Sequence, residues 1–430
     1  MALSGVRWIP GTPIIVYTAV FIAASLVYWL VCRQALNTSA ETGGLIPVLL
    51  ILFFLRMSFV GVSPRGSDDV YRYMWDGRVQ SAGINPYKYK PDDQTLSGLH
   101  TAMLPSHVNH PEMQTVYFPL AEWLFFVSYN LCGEQIWGYH LLILLAEIVT
   151  MIGLLLLMRG SAMSPWRVLL YAANPLVILQ YSLDAHVDAL GFPFLIFGLL
   201  LYQRRNITPA LLLMGMSLLI KPVALVLLPI LFLDQKGWMN KARVAIIPIA
   251  ILAASFTPYM LDANPFEGLA TFSKHWFFNG ALFSILFPLI SDNQTTRLWC
   301  LVVLGLLLLV LCFSRKPLHH KMAFAVLLLI LCSPVAHPWY MGWLVVLLPV
   351  AAIASGITLA GTASLVSITF VSYQLEGVWK DFPLVLILEY VPVVALLLVD
   401  LAGRNRGWSG RDKDQLGDTE IRSRTEGEET

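Results

Sequence analysis

The chain has 430 residues, of which 57% are hydrophobic and 13% are charged, and its formal net charge is +1. Soluble domains carry about 25% charged residues, so this composition excludes a soluble protein and predicts that most of the chain lies in a bilayer. The near-neutral charge gives no electrostatic attraction for nucleic acid, and we expect no nucleic-acid partner. Five cysteines without paired spacing argue against a disulfide framework or a zinc site.

Long apolar runs follow one another along the chain, and about 20 apolar residues cross a bilayer as a helix. These runs predict spans at 13–32, 45–60, 136–158, 166–182, 187–203, 244–260, 296–313, 322–334, 339–354, 356–371 and 383–401. The run at 207–233 is interrupted at Lys221-Pro222, where a missing backbone N–H kinks a helix, so we predict two short halves. The predicted fold class is all-α, a polytopic transmembrane helical bundle of roughly 11–13 spans, with 13–32 retained rather than cleaved.

Lysine and arginine in short loops predict orientation in the membrane. The basic residues that we assign to the cytoplasmic side are Arg159, Arg167, Arg204, Arg205, Lys236, Lys241, Arg243, Arg315, Lys316 and Lys321. The opposite side then receives the segments 61–135, 183–188, 261–295, 333–340 and 372–382, together with Lys221. The N-terminus is not assigned, because Arg7 and Arg33 give opposing signals.

Two parts of the chain are not predicted to span the membrane. Residues 1–401 form the membrane domain, whose external loop at about 61–135 contains "YFPLAEWLFFVSY", a stretch typical of an interfacial helix. Residues 402–430 are nearly half charged, which predicts a disordered cytoplasmic tail.

The external loop begins with a dense polar and aromatic stretch, "DDVYRYMWDGRVQSAGINPYKY" at 68–89. We predict a helix over 67–80 with Ser67 as the N-cap. In that helix Asp68 can reach Arg72 at i+4. One face carries residues at i, i+3, i+4 and i+7: Asp69, Arg72, Tyr73 and Asp76. The alternative is a helix cap with surface ion pairs.

A carboxylate beside cations and aromatic rings at a membrane boundary suits one type of reaction. A hydroxyl can attack a sugar whose leaving group is a lipid phosphate, provided that a general base removes the hydroxyl proton. Fixed positive groups would stabilise the departing phosphate, and aromatic rings would stack on the sugar. The sequence therefore predicts glycosyl transfer from a lipid-borne donor.

The motifs "GSDDVYRYMWDGRVQSAGINPYKY", "YFPLAEW", "DAHVDAL", "LLIKPVALVLLP" and "SPVAHPWY" occur in this order within 60–370. With them the sequence resembles bacterial membrane glycosyltransferases of the GT-C type, and most of all the polyprenol-phosphate-mannose dependent mannosyltransferases. The resemblance implies an inverting enzyme in the bacterial cytoplasmic membrane with a non-cytoplasmic active site. It implies a polyprenyl-phosphate sugar donor, with mannose as the expected sugar, a glycan or glycolipid acceptor and no cofactor.

The resemblance also assigns the catalytic base to the Asp68-Asp69 pair. We prefer Asp69, because the family pattern is an acid followed by an aliphatic residue and a tyrosine, here Val70 and Tyr71. Further polar and aromatic residues of the external segments are predicted to bind substrate: Arg72, Tyr73, Asp76, Arg78, Asn85, Tyr87, Tyr117, Asp184, His186, Asp188, Lys221, His337 and Tyr340.

Several of these residues have alternative interpretations. Asp184, His186 and Asp188 alternate on a turn predicted to be extended, so they could share a face and bind substrate or a metal, or they could cap two spans. We assign them no metal. Lys221 is predicted to contact the donor phosphate or to extend to the interface. His337 is predicted to contact the phosphate or to belong to an aromatic belt, and "HVNH" with Glu112 is interpreted as a solvated loop.

Two other functions remain open from the sequence. A transporter or flippase of lipid-linked sugars would also have many spans, a broken helix and buried charge. A non-catalytic membrane subunit is the second alternative. The clustering of polar groups on one side of the membrane favours the enzyme over both.

Overall fold

The computed structural model describes residues 12–38, 43–160, 163–377 and 379–403. From Arg404 onward, the tail predicted to be disordered lies outside these residues, and so does Arg7. The described chain is all-α, and its strand pairing is limited to isolated bridges that join Phe278 and Asn279 to Val335. This confirms the predicted fold class.

Helices of very different length succeed one another along the chain. The first nine are α1 (Thr12–Asn37), α2 (Leu45–Met57), α3 (Asp69–Ser81), α4 (Pro119–Cys132), α5 (Ile136–Arg159), α6 (Leu169–Ala172), α7 (Phe192–Gln203), α8 (Ile207–Leu218) and α9 (Leu228–Asp234). The others are α10 (Trp238–Phe256), α11 (Glu267–His275), α12 (Ala281–Ile290), α13 (Asn293–Phe313), α14 (Leu318–Cys332), α15 (Gly342–Val345), α16 (Ala354–Thr362), α17 (Ser367–Glu376) and α18 (Pro383–Leu401).

The protein has the helices of a multi-pass membrane protein. Within the described residues, six stretches are long and apolar enough to cross a bilayer: Pro13–Asn37, Ile136–Arg159, Trp238–Phe256, Asn293–Phe313, Ala354–Glu376 and Pro383–Leu401. A bent pair, Val177–Leu183 followed by Val187–Gln203 at 96°, can form a seventh span. Five shorter apolar helices accompany them, at Leu45–Met57, Ile207–Leu218, Pro222–Asp234, Ala281–Ile290 and Leu318–Cys332.

Some predicted spans are broken in the structure, so there are fewer long straight helices than the predicted 11–13 spans. The run 207–233 divides as expected: α8 ends at Leu218, a 3-10 turn follows over Pro222–Leu227, and then α9 begins. In contrast, 166–182 and 339–354 form only short helical turns. Trp343 and its neighbours there are fully buried, and protein rather than lipid surrounds them. Irregular backbone is tolerated at membrane depth in such surroundings.

The segments predicted to be external also contain more helix than predicted. The segment 261–295, predicted as a loop, contains α11 and α12. The aromatic stretch of the first external loop forms α4, which confirms the helix predicted there. Helix α3 begins at Asp69, two residues later than predicted, and the Ser67 hydroxyl accepts a hydrogen bond from the Asp69 N–H at 3.2 Å.

A buried ion pair ties together the helices on both sides of the external loop. Arg56 on α2 donates to Glu147 on α5 at 3.2 Å, and both side chains are fully buried. Arg56 also donates to the Ala172 carbonyl, and Ser182 donates to Glu147. Because an unpaired buried charge is very costly, these partners hold α2 and the bent segment in one arrangement.

Helix α3 lies against α4 at very short distance. A Cβ on Gly77 would be 2.5 Å from the Phe125 carbonyl oxygen, so the packing requires glycine at this position. Tyr73 stacks on Phe125 with ring centroids 4.5 Å apart. This contact fixes the orientation of α3 and therefore the direction in which its first residues point.

Candidate active site

One large cavity, of about 1480 Å³, lies where the segments assigned to the non-cytoplasmic side meet. Its wall includes residues from all five of these segments, for example Asp69, Asp188, Phe278, His337 and Trp379. The assignment of these regions to one side used only lysine and arginine in other loops. Their convergence on one cavity supports a common functional site.

Two adjacent carboxylates stand at the start of α3, on the wall of the cavity. The side-chain amide of Asn109 donates to both of them, at 2.9 Å to Asp68 Oδ1 and at 2.7 Å to Asp69 Oδ1. His186 approaches from the opposite side, with Nδ1 3.4 Å from Asp69 Oδ2. The pair is therefore fixed by neighbours from two distant parts of the sequence.

The two carboxyl groups differ in protonation. Burial, with the negative charge of Asp69, raises the pKa of Asp68 to about 7. Burial would also raise the pKa of Asp69, but the contacts with His186 and Asn109 outweigh it and lower the pKa to about 2. Asp69 is therefore ionised at neutral pH, whereas Asp68 is close to half-protonated.

A lysine ammonium lies on the same cavity wall. Lys221 donates to Asp188 Oδ1 at 2.8 Å, and the indole N–H of Trp343 donates to the same oxygen at 2.7 Å. The Lys221 nitrogen is 3.5 Å from the centre of the Tyr340 ring, which is a cation–π contact. The break between α8 and α9 places this ammonium at the cavity, where its side chain remains 24% exposed.

Stacked rings form another part of the site. Trp339 lies between two imidazoles, with centroid distances of 3.9 Å to His186 and 4.3 Å to His337. Phe278 and Trp379 extend this aromatic surface beyond His337. Burial lowers the pKa of His337 to about 3, so its imidazole is neutral and can offer a phosphate a hydrogen bond but no charge.

The chain that leads into the acid pair is anchored by Asp184. Its Oδ1 accepts the backbone N–H groups of Arg65 and Gly66 at 2.7 and 2.9 Å, and its Oδ2 accepts the Tyr17 hydroxyl at 2.8 Å. A Cβ on Gly66 would lie 2.6 Å from both the Asp184 carboxylate and the Tyr17 hydroxyl, so this approach requires glycine.

The three side chains of "DAHVD" do not share a face, contrary to the prediction. The segment is not extended: it joins a π-helical turn, Val177–Leu183, to a 3-10 turn, Val187–Gly191, through Ala185 at φ 59°. As a result Asp184 points to Gly66, His186 to Asp69, and Asp188 to Lys221. Among the described residues, no cluster of three or more His, Cys, Asp or Glu side chains is placed to hold a metal ion.

The predicted face of α3 is also corrected. Arg72 pairs with Asp76 at 2.9 Å rather than with Asp68, and it donates to the Met113 carbonyl. Both side chains are buried, away from the cavity wall, on the side of α3 where the Thr115 hydroxyl donates to Glu122. Tyr73 directly follows Arg72 on α3, so its side chain leaves the helix in a different direction and remains on the cavity wall.

Three more predicted binding residues maintain the shape of the external loop instead of lining the cavity. Arg78 contacts the Leu99 carbonyl and Glu134, and Asn85 contacts Asp262. Tyr87 donates to the carbonyl of Tyr117, and the Tyr117 side chain itself lines the cavity. The structure brings to the cavity wall Asp68, Asp69, Tyr73, Tyr117, Asp188, Lys221, His337 and Tyr340.

The sequence analysis missed Asn109, Trp339 and Trp343. Asn109 lies in "HVNH", which a polar loop composition does not distinguish from solvated chain. Trp339 belongs to the "HPWY" motif that was singled out only for its histidine and tyrosine. Trp343 follows four residues later, in a run that was assigned to a span.

Comparison with known proteins gives a family match and a similar crystal structure. The family model described as "Alpha-(1->6)-mannopyranosyltransferase, N-terminal domain" matches residues 4–235, slightly more than half of the chain. The crystal structure of ArnT from Cupriavidus metallidurans bound to undecaprenyl phosphate is similar, with 16% identity and a TM-score of 0.46. That match covers 86% of this chain and 79% of ArnT. No curated protein sequence matches the chain.

We predict that Gly66→Ala lowers activity strongly while Gly98→Ala does not. The new Cβ would displace Asp184 or the backbone that leads to Asp69, and a shift of about 1 Å in a reacting group can cost about 10²-fold in rate. Gly98 lies in the same external region, and a Cβ added to it would meet no other atom within 4 Å. Sugar transfer and thermal unfolding in detergent would be measured for both variants, and equal activity of the two would contradict the anchoring role.

Proposed function

Because the chain belongs to the Alpha-(1->6)-mannopyranosyltransferase family, we propose that it transfers a mannosyl residue, with inversion, from a polyprenyl-phosphate donor to a glycan hydroxyl. The acceptor would be a lipid-linked or cell-envelope glycan on the non-cytoplasmic face. Family membership itself confirms the resemblance to membrane mannosyltransferases and favours a glycosyltransferase over a transporter. The observation that carries the proposal is the cavity, which combines an ionised carboxylate, an ammonium and an aromatic wall.

Asp69 is the proposed general base. It is ionised at neutral pH, and its side chain is 19% exposed, so an acceptor hydroxyl can approach it from the cavity. The hydroxyl proton becomes strongly acidic as its oxygen bonds to the anomeric carbon. The base must therefore be ionised and positioned when attack occurs, and it need not be a strong base.

Lys221 is the proposed partner of the donor phosphate. Its ammonium is partly satisfied by Asp188 and still faces the cavity. When the bond between the anomeric carbon and the phosphate oxygen breaks, the electron pair leaves with the phosphate, whose negative charge the ammonium stabilises. The new bond joins the acceptor oxygen to the same carbon on the opposite face, and the hydroxyl proton passes to Asp69.

The wall next to Lys221 fits a lipid-borne rather than a nucleotide donor. Val326, Leu329 and Ile330 line the cavity, and all three belong to α14, one of the apolar helices. A polyprenyl chain can lie against such a surface while its phosphate reaches Lys221. The rings of Trp339, Tyr340 and Trp379 offer apolar faces for a sugar at the same place.

The expected outcome for Asp69→Asn is a loss of about 10²–10⁴-fold in kcat, with donor binding retained. The amide keeps the shape of the side chain and removes the basic oxygen. The measurement is transfer of labelled mannose from polyprenyl-phosphate mannose in proteoliposomes, with donor affinity measured in the same preparation. Transfer from a nucleotide sugar without the lipid donor would overturn the proposed donor class.

Asp68→Asn is the matched comparison, and it should cost less activity than Asp69→Asn. The pKa of Asp68 is about 7, so titration of Asp68 would change the activity of the wild type near pH 7, and the Asp68→Asn variant should lack that change. Asp69 stays ionised between pH 8 and pH 5 and causes no change in activity over this range. If Asp68→Asn is inactive and Asp69→Asn is active, the two roles are reversed.

Lys221→Met should raise the donor KM about 10–100-fold, the usual cost of a lost hydrogen bond to a charged group. The control is Lys88→Met, because Lys88 is exposed and pairs with Asp262 away from the cavity. Its donor KM should stay within about 2-fold of the wild type, as for most surface substitutions. A wild-type donor KM in a well-folded Lys221→Met protein would remove Lys221 from the phosphate site.

The proposed membrane orientation is tested by labelling in intact cells. Ser97 and Lys236 are both exposed, on segments assigned to opposite sides. In a protein whose native cysteines are replaced, Ser97→Cys should react with an impermeant thiol reagent, and Lys236→Cys should react only after permeabilisation. The reverse pattern would place the cavity on the cytoplasmic side.

A further inference from the structure

We propose that His186 is a positioning residue that holds Asp69 in its ionised, productive orientation from behind, and that the ring of Trp339 holds His186. The inference rests on the proposed function of Asp69 as the general base. It replaces the expectation that His186 binds substrate. His186 is fully buried and lies behind the acid pair, so a substrate in the cavity meets Asp69 and not the imidazole.

The geometry gives His186 one polar neighbour of consequence. Its Nδ1 lies 3.4 Å from Asp69 Oδ2, longer than a normal hydrogen bond. Neither ring nitrogen has a hydrogen-bond partner among the described residues. A buried polar ring left in this state calls for an explanation, and catalytic hydrogen bonds are often long before substrate binds. A small rotation of Asp69 toward the imidazole would give Nδ1 a hydrogen-bond partner.

The ring of Trp339 fixes the imidazole plane. The two rings are 3.9 Å apart and only 15° from parallel. The Trp339 carbonyl accepts the Tyr181 hydroxyl, which holds the tryptophan backbone in place.

Other charged or titratable groups lie near the contact between His186 and Asp69, and their effects must be distinguished from that of His186. The groups on which Asp69 or His186 acts electrostatically are Asp68, Asp184, Lys221, Tyr73, Tyr117, Tyr340 and His337. Lys221 is hydrogen-bonded to Asp188, and Asp184 is bonded to Gly66. His337 lies on the far face of Trp339, so the tryptophan separates the two imidazoles.

Two substitutions separate positioning from packing. His186→Phe keeps a flat ring against Trp339 and removes Nδ1, whereas His186→Asn loses the ring and keeps an amide N–H near the position of Nδ1. For His186→Phe we expect kcat to fall about 10–100-fold, as for other groups that orient a reacting side chain. The fall of kcat/KM at low pH, its acid limb, should move up by about 1–3 pH units, because loss of the His186 contact raises the pKa of Asp69.

His186→Asn should keep the wild-type acid limb and most of the activity. The donor KM should change little in either variant, because neither touches the phosphate site. The ratio of kcat/KM at pH 3.5 to that at pH 7.5 is the main readout, because even a one-unit rise in the pKa of Asp69 lowers this ratio; it is taken also in the Asp68→Asn background because Asp68 titrates near pH 7. If His186→Phe keeps the wild-type ratio and His186→Asn is the damaged variant, His186 only packs, and the proposal is overturned.

A third variant covers a failure of His186→Phe to fold. His186→Gln is polar like His186→Asn, but its amide N–H extends past the position of Nδ1, so it should show the shifted acid limb. Equal acid limbs for the Asn and Gln variants would also overturn the proposal.

The variant Asp69→Asn distinguishes a failure of the proposed function from a failure of this inference. If Asp69→Asn stays active, the assignment of Asp69 as the base fails. If Asp69→Asn is inactive while His186→Phe keeps the wild-type ratio, only the role of His186 fails.

Discussion

The carboxylate of Asp184 is the contact on which the arrangement of the site depends. It binds two consecutive backbone N–H groups, of Arg65 and Gly66, and the hydroxyl of Tyr17 on α1. These three bonds join the first long helix, the start of the external loop and the bent segment at 183–188. Asp69 follows Gly66 by three residues, and His186 follows Asp184 by two. The contacts of Asp184 therefore place both the proposed base, Asp69, and the imidazole beside it, His186.

Three buried or partly buried cations of this bundle each have a carboxylate partner. Arg56 has Glu147, Arg72 has Asp76, and Lys221 has Asp188. The first two pairs are buried: Arg56 and Glu147 join α2 to α5, whereas Arg72 and Asp76 lie on the same helix, α3. Of these three pairs, only that of Lys221 opens to the cavity, which leaves its ammonium able to meet a phosphate without first breaking a buried pair. The difference between the structural charges and the charge proposed to be functional is therefore exposure to the cavity, and composition alone does not reveal it.

The sequence was sufficient for the features that depend on local pattern. Apolar runs predicted the helical bundle, Lys221-Pro222 predicted the broken helix, and the acid pair was expected at the start of a helix in the external loop. Arg72 shows where such reasoning ends. Asp68 and Asp76 are both four residues away from it, and spacing cannot choose between them. The packing of α3 on α4 buries Arg72 together with Asp76. Asp68 instead accepts a hydrogen bond from Asn109, a residue that only the tertiary fold brings near.

Asp68 and Asp69 are identical residues that the fold makes different. Two adjacent carboxylates in a partly buried site repel each other, so their surroundings determine which one keeps the proton. Asp69 has His186 and the Asn109 amide as neighbours, whereas Asp68 has Asn109 and the negative charge of Asp69. A sequence of two identical residues is thus converted by tertiary structure into one ionised group and one that titrates near neutrality. The imidazole held against Trp339 contributes to that asymmetry, because it contacts Asp69 and not Asp68.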